Sequence, residues 1–207
     1  MKLGQMVVGA VSTNCYFLEN EETHELILVD PGDWPLEIQN KIEDMGCHLV
    51  AILLTHGHFA HIMAVPALQD MYEHVDVYAC SAEQVLLANP SVNCSAMVGQ
   101  NCSVIPDVLV TDGEKLKIAG MNIEVIATPG HTEGSCCYYL PDDQLLLSGD
   151  TLFQGSVGRT DLPTGNMSKL LESLKKLFEI LPEDTDVFAG HDCSTSIGYE
   201  KRYNPFA

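Results

Sequence analysis

The sequence predicts one α/β domain in which two β-rich halves, each with flanking helices, pack as two sheets face to face with helices outside. Three observations carry this. Strand-like and helix-like segments alternate along the chain. The second half repeats the rhythm of the first. No low-complexity linker or short repeat divides the 207 residues, a length suited to a single large domain over residues 1–207.

Residues 3–9, 14–18 and 25–30 read as strands, the last running into the turn signal "DPG". "WPLEIQNKIEDMG" has helical spacing at Leu36, Ile38, Ile42 and Met45 and stops at Gly46. "HLVAILLT" is a continuous apolar run, the kind of strand buried on both faces. "IMAVPALQDMYE" reads as a helix despite Pro66, "DVYA" as a short strand, and "SAEQVLLA" as a helix with Ser81 as its N-cap. Residues 89–107, rich in Asn, Ser and Cys, read as an irregular connection near the active site. Strands follow at 115–118, 121–127, 136–140 and 144–148. "MSKLLESLKKLFEIL" is an amphipathic helix, "TDVFAG" a final strand, and a polar tail closes the chain.

The formal charge of −19 and pI near 4.5 argue against nucleic acid and anionic membrane surfaces as partners, because phosphate binding needs a basic face. No apolar run reaches the ~18 residues of a membrane span. The N-terminal segment lacks the apolar core and cleavage site of a secretory signal. Eight cysteines are present without regular spacing and without a CxxC pair. A disulfide scaffold is therefore not expected, and the setting is expected to be reducing and cytoplasmic.

The chemistry is concentrated in four loops that follow strand-like segments. They carry His56-x-His58-x-x-His61, His131 in "TPGHTEGS", Asp150 in "SGDTLF" and His191 in "AGHDCST". Five imidazoles and one carboxylate suit zinc, iron or manganese better than magnesium or calcium, which prefer all-oxygen shells. His24, His48 and His74 lie outside glycine-flanked loops of this kind and read as separate surface or core residues.

THGHFAH, TPGHTEGS, SGDTLF and AGH, in that order, resemble the metallo-β-lactamase superfamily, specifically its short glyoxalase II-like (hydroxyacylglutathione hydrolase-like) branch. "GSVGRTDLPTGN" and "STSIGYEKRYNPF" are also similar to that branch and to its persulfide dioxygenase relatives. The resemblance covers nearly the whole chain. It implies an αβ/βα four-layer sandwich with two central mixed sheets and a two-metal site at one edge. Site one would be His56, His58 and His131 with Asp150 bridging, together holding a metal-bound water as nucleophile. Site two would be His61, His191 and Asp150. The family's further aspartate falls at Ala60, and a methyl group cannot ligate a metal.

The expectation is therefore site one filled, by zinc or alternatively iron or manganese, with site two weakened. Asp192 or Cys193 offers a substitute ligand, although the plainer reading makes both ordinary loop residues. The activity implied is a thioesterase of glyoxalase II type acting on a small-molecule thioester or ester. The alternatives are a mononuclear iron persulfide dioxygenase-like enzyme and a catalytically impaired metal-binding chain, natural or engineered. Thr55, Thr128 and Thr151 read as supports for the ligand loops or simply as strand ends. Arg159 and Asp161 read as a structural ion pair. Tyr199, Lys201, Arg202 and Tyr203 form a basic-aromatic tail that meets an acidic substrate or packs the C-terminus. Cys136 and Cys137 read as inert strand thiols, one facing in and one out.

Overall fold

A computed structural model describes residues 1–207 as two six-stranded sheets packed face to face. The first sheet holds β1 (Lys2–Val8), β2 (Thr13–Glu19), β3 (Glu25–Val29), β4 (His48–Leu54), β5 (Asp76–Cys80) and β6 (Val108–Val110), in that order. The first three strands run antiparallel, and β3 to β6 run parallel. The second sheet is built from β7 (Lys115–Ile118), β8 (Met121–Ala127), β9 (Cys136–Leu140), β10 (Leu145–Gly149), β13 (Asp186–Ala189) and β14 (Thr195–Ser196). Its order is β14-β13-β10-β9-β8-β7, with β10 and β13 the parallel pair. A small hairpin, β11 (Leu152–Phe153) with β12 (Ser156–Val157), stands apart.

Strand periodicity sorts the apolar residues into three cores and so makes four layers. On β2, Tyr16 and Leu18 face the space between the sheets, while Cys15 and Phe17 face outward. There they meet helices α1 (Pro35–Met45) and α3 (Val65–Met71). On β9, Cys136, Tyr138 and Leu140 enter the inter-sheet core. Cys137 and Tyr139 instead pack beneath α5 (Met167–Ile180) with Leu174, Leu177 and Phe178. Cys136 and Cys137 thus face opposite ways, but the outward one is covered by a helix and both are buried. Burial pushes both thiols up, which makes them poor nucleophiles. All eight cysteines are free, and only Cys193 is exposed. No helix is long and apolar enough to cross a membrane.

Local chemistry explains the helix ends. Gly46 closes α1 in the left-handed conformation at φ 67°, and Asn166 caps α5 by accepting from Lys169 N. Four sequence expectations change. The single helix across Pro66 is two: α2 (Phe59–Ile62) ends, and α3 begins with Pro66 in its first turn, where a missing N–H costs nothing. Ser81 is not an N-cap: it lies inside a 3₁₀ turn, Ser81–Glu83, and makes no capping bond before α4 (Gln84–Leu87). The irregular connection of 89–107 contains a further 3₁₀ turn at Ser95–Val98, built around buried Asn93. The polar tail contains a helix, α6 (Ile197–Tyr203), capped by Ser196. Within it Glu200 is buried and accepts from Gly155 N, Thr195 Oγ1 and Asn204 Nδ2. Lys201 and Arg202 both pair with the Glu183 carboxylate at the surface.

Candidate metal centre

The C-terminal ends of β4, β8, β10 and β13 lie along one edge of the sandwich. They deliver, in turn, His56 and His58 with His61 on α2, then His131, Asp150 and His191. All six residues expected from the sequence meet there. His131 Nε2 lies 2.9 Å from His58 Nδ1 and 3.2 Å from His56 Nε2. Asp150 sits between this trio and a second pair. Its Oδ2 is 3.4 Å from His131 Nε2 and 3.6 Å from His191 Nε2, and its Oδ1 is 3.5 Å from His61 Nε2. Three overlapping ligand sets result, His56–His58–His131, His61–Asp150–His191 and Asp30–His56–His61, and Asp150 lies between the first two.

The donor set fits divalent cations. His61 Nε2 and Asp150 Oδ1 are buried, face one another and have no hydrogen-bond partner. Unpartnered buried polar atoms are costly, and cations at this junction would satisfy both. Burial pushes the imidazoles of His56 and His131 down, and the neighbouring histidines add to the effect on His56. His58 is pushed down to about 3 for the same reasons. These rings are therefore neutral at ordinary pH, the form that ligates. Asp150 moves down although burial opposes it, because His61, His131 and His191 surround it.

Residues around the ligands fix which ring nitrogen faces inward. His131 Nδ1 donates to the Arg159 carbonyl at 2.7 Å. His56 Nδ1 lies 3.2 Å from Thr55 Oγ1. Asp30, buried at the end of β3, takes His61 Nδ1 at 2.9 Å and also accepts from Thr55 N and Thr55 Oγ1. Against its burial, Asp150 first and Asp30 next carry His61 upward. Buried Glu83 accepts from Gly57 N with one oxygen and from Gly134 N with the other, both at 2.8 Å. It thereby ties the His56–His58 loop to the His131 loop. A Cβ on Gly134 would lie 2.4 Å from Glu83 Oε2, and one on Gly190 would lie 2.3 Å from Asp150 Oδ1. Both positions therefore require glycine.

Asp30 and Glu83 escaped the sequence reading. Asp30 belongs to a turn signal and Glu83 to a helix pattern, and neither has a motif of its own. Of the threonines, only Thr55 touches a ligand. Thr128 Oγ1 and Thr151 Oγ1 bond each other at 2.9 Å. Arg159 and Asp161 form a bidentate surface pair, and the contribution of Arg159 to the centre is its backbone carbonyl. The 89–107 connection does reach this region, where Asn93 O accepts from Phe59 N at the start of α2.

Ala60 lies on α2 and lines a cavity of about 220 Å³ with Gly9, Val11, Thr13, Asp33 and Met63. No carboxylate lining that cavity is grouped with His61, Asp150 and His191; Asp30 meets His61 at its other ring nitrogen. Asp192 and Cys193 are exposed and belong to no ligand set, and the Asp192 carbonyl accepts from Asn14 Nδ2.

Residues 8–191 match the family model described as the metallo-beta-lactamase superfamily. A probable metallo-hydrolase of Bacillus subtilis, YqgX, is 39% identical over 100% of this chain and 97% of its own length. Hydroxyacylglutathione hydrolase GloC of Haemophilus influenzae is 32% identical, covering 100% of this chain and 98% of its own. Among solved structures, the BLEG-1 B3 metallo-beta-lactamase superposes with a TM-score of 0.93 at 38% identity, covering 99% of both chains.

Proposed function

Because the chain belongs to the metallo-β-lactamase superfamily and is a metallo-hydrolase, we propose that it cleaves small-molecule thioesters of the hydroxyacylglutathione kind. In this reading His56, His58, His131 and Asp150 form the complete metal site, and His61, Asp150 and His191 form a weakened second one. The observation that carries the reading is the position of Asp150, within 3.6 Å of nitrogens of His61, His131 and His191. Similarity to GloC supports the thioester class. Zinc is the cation best matched to the nitrogen-rich first set, with iron or manganese as alternatives.

A bound divalent cation supplies Lewis acidity, which lowers the pKa of water and polarises a carbonyl. The chain supplies the rest. Arg159 O and Thr55 Oγ1 hold His131 and His56 with their Nε2 atoms inward. Asp150 contributes the negative charge, and from its position near His61, His131 and His191 it would be available to a cation in either set. Glu83 keeps the loops carrying these ligands at fixed separation. The aspartate absent at position 60 removes one charge and one ligand, so both turnover and affinity at the second set fall.

The test is hydrolysis of a hydroxyacyl-glutathione thioester by the purified protein, beside a chromogenic β-lactam and a glutathione persulfide with oxygen uptake recorded. Thioester cleavage that depends on added metal and disappears in His131→Ala supports the reading. Turnover of the β-lactam alone would overturn it in favour of the activity named for BLEG-1. A second reading, iron-dependent persulfide oxygenation, draws on the completeness of the His56–His58–His131 set without position 60. Oxygen uptake with persulfide, and no thioester cleavage, would select it.

A further inference from the structure

At the opposite end of the first sheet, Glu19, His24 and Cys47 bring a carboxylate oxygen, an imidazole nitrogen and a sulfur within 4.8 Å of one another. We propose that these three side chains form a separate, structural site for a divalent cation of the zinc class.

The three ligands come from three pieces of chain. Glu19 ends β2, His24 lies in the turn before β3, and Cys47 lies between α1 and β4. The mixture of nitrogen, oxygen and sulfur donors is one that zinc accepts and that magnesium and calcium do not. One edge of the set has the length a bound zinc would need. His24 Nδ1 and Glu19 Oε1 are 3.3 Å apart, and a tetrahedron with bonds of about 2.0–2.1 Å has edges of about 3.3 Å. Glu19 and Cys47 are buried, whereas His24 is exposed, which leaves a path from solvent.

The surroundings prepare the ligands. Lys2 Nζ takes Glu19 Oε2 at 3.1 Å and leaves Oε1 toward His24. Backbone bonds from His24 N to Asn20 O and from His48 N to His24 O, both 2.8 Å, fix the turn that carries the imidazole. Cys47 Sγ makes a weak contact of 3.7 Å to Met45 O and lies within hydrogen-bonding reach of the Glu19 carboxylate. Binding transfers the Cys47 proton to solvent. The thiolate and the Glu19 carboxylate then match the two positive charges of the cation. A filled site would pin the β2–β3 turn to the start of β4. The ammonium of Lys2 opposes it, so its affinity should fall below that of a site built from cysteines alone.

Cobalt(II) distinguishes this site from the histidine-rich centre, which has no sulfur in its ligand sets. Titration of metal-free, full-length protein with cobalt should give a near-ultraviolet thiolate-to-cobalt charge-transfer band. Cys47→Ser should abolish it while keeping the visible bands of the other centre, which also reports that the variant is folded. Cys193→Ser, at the exposed cysteine near His191, should leave it unchanged. His24→Asn changes an exposed residue and should weaken cobalt binding at this band at least about tenfold, as expected for loss of a ligand. Absence of the band in the unaltered protein, its persistence in Cys47→Ser, or an unchanged affinity in His24→Asn would each overturn the proposal.

Discussion

The Asp30 carboxylate stands 2.9 Å from Nδ1 of His61 and leaves the opposite ring nitrogen facing Asp150. The same carboxylate accepts from Thr55 N and Thr55 Oγ1, so one buried group sets the orientation of a ligand and of the residue preceding another. Asp30→Ala should destabilise the protein by roughly 1–3 kcal/mol for each buried donor left unpaired. It should also lower metal affinity at the His61 set by roughly 10–100-fold. Denaturant unfolding of the metal-free protein measures the first effect and metal titration the second. An affinity equal to that of the unaltered chain would deny Asp30 its orienting role.

Restoring a carboxylate by Ala60→Asp should raise the metal content from about one ion per chain toward two. Thioester turnover should rise with it. Elemental analysis of both purified proteins decides the matter. A content near two in both would show that another group already completes the second set.

Glu83 gives one oxygen to Gly57 N and the other to Gly134 N. Glu83→Gln keeps one acceptor and sets an amide donor against a backbone donor. We expect a stability loss of roughly 1–3 kcal/mol and a fall in metal affinity of roughly 10–100-fold. Isothermal titration should show the fall although the substituted side chain touches no ligand. Unchanged affinity would confine Glu83 to a purely structural part.

Acid should weaken the metal-free protein. His58 is held neutral down to about 3, against 6.5 for a free imidazole, and burial moves His56 and His131 the same way. Between those limits the unfolded chain binds protons that the folded chain refuses, so stability falls as the pH drops from 6.5 toward 3. His61 moves upward and contributes in the opposite sense, with stability that is lost as pH rises through its folded value. Three groups outweigh one, and the urea midpoint should decrease from neutral pH to pH 5. A midpoint that stays level or rises would contradict this balance.

Much of this was legible in the sequence because strand and ligand signals are local. The run His48–Leu54 is apolar at every position but the first, and Thr55-His56-Gly57-His58 follows it directly, so strand and ligands read as one unit. Shorter or tertiary features were not legible. The three residues of β6 and the two of β14 are strands only because neighbours pair with them. Helix α6 carries Gly198 and a run of polar residues that resembles a tail, and its reason for folding is the buried Glu200. Asp30 and Glu83 act on residues 31 and 51 positions away, distances no spacing rule covers.

Each of the sets His56–His58–His131 and His61–Asp150–His191 draws ligands from both halves of the chain. His56, His58 and His61 hang from the first sheet, and His131, Asp150 and His191 hang from the second. A cation bound by these residues would work as a rivet through the seam of the sandwich. Its departure would relax the edge where the halves meet and leave the far ends of the strands clamped by their own cores. Amide exchange after chelation should therefore quicken first in the loops at residues 55–61, 128–135 and 190–193, and the two sheets should loosen together there.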